Sequence, residues 1–328
     1  MLTRSIFLVT AMGSAIAAFQ ATPPVQEAAL KAVQIPISRL KPEAVFEVPG
    51  VPDWLAIDDH VWVSNKPKDT ITAMDPKTNK VAATITVGKR PCSGLAAAFG
   101  SIWVPACGDQ AISRVDIKTG TVVATIPTGV GDSEGGIAAG AGSIWMLVDK
   151  KGTLVRVDPA TNKVVAEIAV APGSFCAAFG EGALWVTSTE KSLVSRIDPQ
   201  TNLIVETIAV GKGPRFLTVG EGGVWTLNQV DGTISRIDPA TNKVVATIKA
   251  GLVGAGGEIA AGEGSVWATL FGFPITRIDP ATNKVAQQFV GEGGDAIRIG
   301  HGSVWLSNLK AQNVWRLDPR RIEATVAQ

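Results

Sequence analysis

Short apolar runs, rich in β-branched residues and bounded by Gly, Asn, Asp or Pro, recur along nearly the whole chain. Within them the alternation is that of strands with one buried face, as in VWV and SRID. The pattern repeats about every 41 residues. A small-apolar-Trp triplet marks each unit, at Trp62, Trp103, Trp145, Trp185, Trp225, Trp267 and Trp305. About eleven residues later comes an apolar-Asp pair, at Asp75, Asp116, Asp158, Asp198, Asp238, Asp279 and Asp318. Five of these open an Asp-Pro-x-Thr-Asn turn, whereas Asp116 opens DIKTG and Asp318 opens DPRR.

Each unit therefore predicts four strands, as in FLTVG, GVWTLN, TISRID and KVVATIKA between Phe216 and Ala250. In the turn, Asp accepts backbone N–H bonds, Pro fixes φ and Asn tolerates the left-handed conformation that ends it. The repeated Trp predicts a structural layer between units, each indole burying roughly 150–250 Å². An Arg before the apolar-Asp pair (Arg114, Arg156, Arg196, Arg236, Arg277, Arg316) reads as an inter-unit hydrogen-bonding clamp.

Seven such units predict an all-β fold, a seven-bladed β-propeller of four-stranded antiparallel blades over residues 44–328. Ring closure removes exposed sheet edges. AVFEVPG, from Ala44 to Gly50, reads as a fourth strand without three partners before it, and completes the blade that starts at Ile297. IEATVAQ at the C-terminus resembles the same strand, so two segments compete for one latch position. Residues 23–43 read as a leader or outer wrap.

The first 22 residues read as a signal peptide: Arg4, an apolar run from Ile6 to Ala18, then small residues. That run is too short to span a membrane. A periplasmic or secreted protein is expected, and a monomer. Formal net charge is +1, so nothing steers the chain toward nucleic acid. With 35 Gly and 19 Pro against few helix-forming clusters, composition agrees with strands and turns. Antiparallel pairing about Phe99-Gly100-Ser101 sets Cys92 opposite Cys107, and an oxidising compartment would join them. Cys176 is expected as a buried free thiol.

Units such as VWVSN, VWVTS and VWLSN followed by sRIDPaTNKVvatI resemble the YVTN-repeat propellers of exported microbial proteins, with Trp in place of Tyr. The pattern is also similar to the scaffold of streptogramin (virginiamycin B) lyases. Those enzymes use a catalytic His with acidic metal ligands. Here the two histidines, His60 and His301, fall in first-to-second strand turns, opposite the variable loops.

Function is sought where the repeats diverge, on the second-to-third strand loops and the inter-blade loops. The mouth of the innermost strands presents Asp53, Ser93, Glu134, Phe175, Arg215, Glu258 and Asp295. Asp53, Glu134, Glu258 and Asp295 are candidate ligands for Ca²⁺ or Mg²⁺, which take several oxygens. Gluconolactonase-type propellers are similar in placing acidic metal ligands at such a mouth. Around it lie Asn65, Lys66 and Lys68, Asp109 and Gln110, Thr187 to Lys191, Asn228 and Gln229, Asn308 and Asn313, with Phe271 and Phe273 as an apolar lobe. No nucleophile motif, phosphate loop or zinc spacing occurs. The leading reading is a binding scaffold for a small polar ligand or a protein or peptide. The alternative is a metal-dependent lyase or lactonase at the acidic mouth.

Overall fold

A computed structural model describes residues 24–92, 94–131 and 136–326; the segment read as a signal peptide, Ser93 and Glu134 lie outside the described residues. Seven antiparallel sheets form the ring. The first blade comprises Val51–Ile57, Val61–Lys66, Thr70–Asp75 and Lys80–Thr86, and five further blades repeat that order through Val290. The seventh has only three strands of its own, Ile297–Gly300, Ser303–Asn308 and Asn313–Leu317.

Its fourth strand comes from the N-terminal side. β2 (Ala44–Glu47) pairs antiparallel with Asn313–Leu317, Ala44 facing Arg316 and Glu47 facing Asn313. The competing C-terminal segment instead begins within a short helix, α2 (Pro319–Ala324), which takes up residues 322–324. Asp318 caps it by accepting from the Arg320 N–H, and Pro319 holds the first helical position, where its missing N–H costs nothing. Upstream, α1 (Pro24–Lys31) leads into β1 (Gln34–Pro36), which pairs parallel with Lys284–Val290 and makes the sixth blade five-stranded.

The repeated Trp side chains form the inter-blade core. Six are completely buried and Trp62 nearly so. Six indole N–H groups donate to the carbonyl five residues upstream, as Trp225 does to Gly220 at 3.0 Å. Trp62 donates instead to the Asp58 carboxylate at 2.8 Å.

The arginines bridge blades. Arg156 stands over Trp145 of its own blade, 4.7 Å from the ring centre, and donates to the Pro199 carbonyl (2.8 Å) and Asn202 Oδ1 (2.9 Å) of the next. Asn202 holds φ at 60°, so one residue both ends the turn and receives the clamp. Arg114, Arg196, Arg236 and Arg316 repeat the arrangement. Arg277 turns to Gln287 and Glu323, because the seventh blade ends in α2 rather than a Pro-x-Thr-Asn turn.

Cys92 and Cys107 form a disulfide with Cα atoms 5.9 Å apart. The strands slip locally, so that Pro91 rather than Cys92 faces Ala106, and the cysteines are diagonal neighbours. Cys176 is a buried free thiol, and burial pushes its pKa up to about 12. No helix of the described residues is long and apolar enough to cross a membrane.

Candidate functional site

On the variable-loop face the channel opens into a cavity of about 370 Å³. Asp53, Arg215 and Asp295 line it together with Lys66, so the ring brings these sequence-selected residues to one place. Asp53 forms an ion pair with Lys66 from the neighbouring strand of its blade. Asp295 accepts from the Gly257 N–H at 2.8 Å, across a blade boundary.

The Arg215 guanidinium carbon stands over two rings, 4.6 Å from the centre of Phe175 and 5.4 Å from that of Phe216. Phe175 meets Phe216 edge-on at 5.5 Å, and Trp54 packs at 5.8 Å from Phe216. Cation–π attraction to the two phenyl rings holds the guanidinium there. Gly256, Gly257 and Phe271 close the opposite wall.

Trp54 escaped the sequence reading, although it is one of only two Trp residues outside the seven-fold series, the other being Trp315. It lines this cavity and also the channel cavity beneath it, of about 310 Å³. Trp54 is 5% exposed, and its indole Nε1 is buried without a hydrogen-bond partner. A buried N–H left unpaired costs about 1–3 kcal/mol, so an acceptor beside it would be favoured.

Glu258 does not join the mouth. It lies in the lower cavity, where it pairs with Arg298 and accepts from the Ile297 N–H at 3.1 Å. Burial pushes its pKa up, against the opposing pull of Arg298. The three selected asparagines are used inside the blades. Asn65 is fully buried and donates to Thr70 and Thr72. Asn228 is fully buried between Thr226, Thr233 and Ser235. Asn308 accepts from the Gly294 N–H at 2.9 Å and donates to Asn313 at 3.1 Å. Among the described residues, no three His, Cys, Asp or Glu side chains converge as a metal cluster would require.

Residues 58–226, just over half of the chain, match a family described as a domain of unknown function, DUF5074. The chain belongs to that family. Among solved structures, a streptogramin B lyase shares the fold at TM-score 0.70 and 20% identity, over 84% of this chain and 96% of that one. A catalytically inactive virginiamycin B lyase from Staphylococcus aureus with quinupristin aligns at TM-score 0.71 and 18% identity, over 84% and 98%. Hydrazine synthase from Kuenenia stuttgartiensis aligns at TM-score 0.69 and 16% identity, over 87% and 98%. These likenesses establish the propeller fold. No curated protein matches the sequence.

Proposed function

We propose that this DUF5074-family propeller is an exported binding protein that holds a small polar ligand, bearing a hydrogen-bond acceptor, at the channel mouth. The observation that carries this reading is the buried, unpartnered Trp54 indole N–H beside Arg215 and Lys66. A carboxylate or carbonyl oxygen would accept from Trp54, and the guanidinium and ammonium would favour its negative charge. Asp53 and Asp295 would select a ligand that also carries donors. Export is supported by the Cys92–Cys107 disulfide, which persists in oxidising compartments.

The lyase or lactonase reading would need carboxylates available to Ca²⁺ or Mg²⁺. Asp53 and Glu258 already face Lys66 and Arg298, and this favours binding over metal-assisted chemistry. The test is a thermal-shift screen of small carboxylates, amides and polyols, with and without millimolar Ca²⁺. A true ligand at a hundred times its Kd adds about 2.7 kcal/mol of stability. Its effect should vanish in Arg215→Ala and Trp54→Phe and persist in Lys118→Ala on the opposite face. Hits that bind both mouth variants as well as the wild type, or that appear only with metal and are turned over, would overturn the proposal.

A further inference from the structure

The boundary between the first and second blades breaks the clamp rule on both sides at once. Trp62 faces Ala73 in the register where Trp103 faces Arg114 and Trp145 faces Arg156. On the receiving blade, the Pro and Asn of the other turns are replaced by Ile117 and Gly120. The serine that elsewhere steadies the arginine, Ser101 or Ser143, becomes His60. Donor, acceptors and support have all changed together, and a cavity of about 230 Å³ remains, lined among others by Trp62, Ala73, His60, Lys118, Thr119 and Gly120.

The chemistry left in this cavity suits a flat cation. In the five intact clamps a guanidinium stands 4.7–5.5 Å from the centre of the equivalent indole. Trp62 has no such group, since Ala73 cannot reach its face, and His60 stands to the side at 6.2 Å with a 59° tilt. His60 Nδ1 is buried with no hydrogen-bond partner. Asp58 accepts from both Trp62 Nε1 and the His60 backbone N–H at 2.8 Å and so fixes the indole from outside the cavity lining.

We infer that this seam is a binding site for a guanidinium group brought from outside the chain, which takes the place of the clamp arginine that the first blade lacks. A planar guanidinium stacks on the indole face, as it does in the five intact clamps; an ammonium lacks that shape.

The experiment measures binding of ethylguanidinium, a truncated arginine side chain, by calorimetry and Trp fluorescence at millimolar concentration and constant ionic strength. Saturable binding is expected, with ethylammonium about tenfold weaker or more. Ala73→Arg places an internal guanidinium in the cavity and should abolish binding. Ala73→Leu, which fills it without charge, should do the same, so the test survives poor folding of either variant. A tighter response to acetyl-Gly-Arg-Gly-amide than to ethylguanidinium assigns the group to an arginine of a partner; equal responses assign it to a free guanidino compound. Equal affinity for ethylammonium, or ethylguanidinium binding retained by a folded Ala73 variant, would overturn the inference.

Discussion

On the face of the Asp-Pro-x-Thr-Asn turns, Asp158 accepts from the Ala160 N–H at 2.9 Å and the Thr161 hydroxyl at 2.8 Å, both within three residues. At the channel mouth, Asp295 accepts from Gly257, 38 residues away, and Glu258 in the channel beneath accepts from Ile297, 39 residues away. The turn acids carry their partners with them, so the motif is copied from blade to blade without regard to neighbours. The mouth acids depend on residues that occur once in the ring. Change at the mouth therefore alters one site, whereas change in a turn or a Trp alters a unit of the scaffold.

If that division is real, scaffold substitutions should move stability and leave mouth binding intact. The largest effect is expected for Trp225→Ala, a fully buried indole whose loss should cost about 3–5 kcal/mol in denaturant melts. Reducing the Cys92–Cys107 bond opens a loop with a sequence separation of 15 and should cost up to about 3 kcal/mol. Thiol titration of denatured, unreduced protein should count one cysteine, Cys176. Arg196→Lys keeps the charge over Trp185 but loses the fork that reaches Pro239 and Asn242, and about 1–3 kcal/mol is expected. Asp53→Asn, at the other extreme, should change stability by less than about 1 kcal/mol while changing ligand response.

Acid should sharpen the same contrast. Asp158 and Asp238 are held below the ordinary carboxyl value of 3.8 by the Ala160 and Ala240 N–H groups, then by Thr161 and Thr241. Asp75, Asp116, Asp198 and Asp279 shift in the same direction. Their folded pKa values lie below the unfolded ones, so their stabilisation is present above the ordinary carboxyl range and drains away as pH falls through the folded values. Glu258 is shifted upward, so its contribution has the opposite sign: it favours the folded state at low pH and is lost as pH rises through the folded value. Melting temperatures should fall in the wild type as pH drops through and below the ordinary carboxyl range, and Glu258→Gln should remove the opposing gain that acid brings at the upper end of the profile.

The scaffold was legible because it is written seven times. Trp spacing, turn chemistry and the clamp arginines could each be read by alignment of the chain with itself, and the latch position was narrowed to two segments by strand pattern alone. What strand pattern missed was that Asp318 and Pro319 start a helix, which removes the C-terminal competitor. The mouth was read less well because its residues do not repeat. Asn65, Asn228 and Asn308 looked like loop polarity, yet each bonds the residue five positions on: Thr70, Thr233 and Asn313. That recurring interval was itself a mark of scaffold. Trp54 carried the opposite signal, an aromatic out of register with the series.

The latch joins residues 272 positions apart, Ala44 with Arg316 (316 − 44 = 272). During synthesis, β2 leaves the ribosome long before its partner strand is made. The seventh blade is incomplete until then, and six blades must wait with one edge unsatisfied. Loop-closure entropy makes such distant pairing slow, and an open edge invites pairing with other chains. The same two segments that seal the ring thus set its hour of greatest exposure, the interval between the making of β2 and the making of its partner strand.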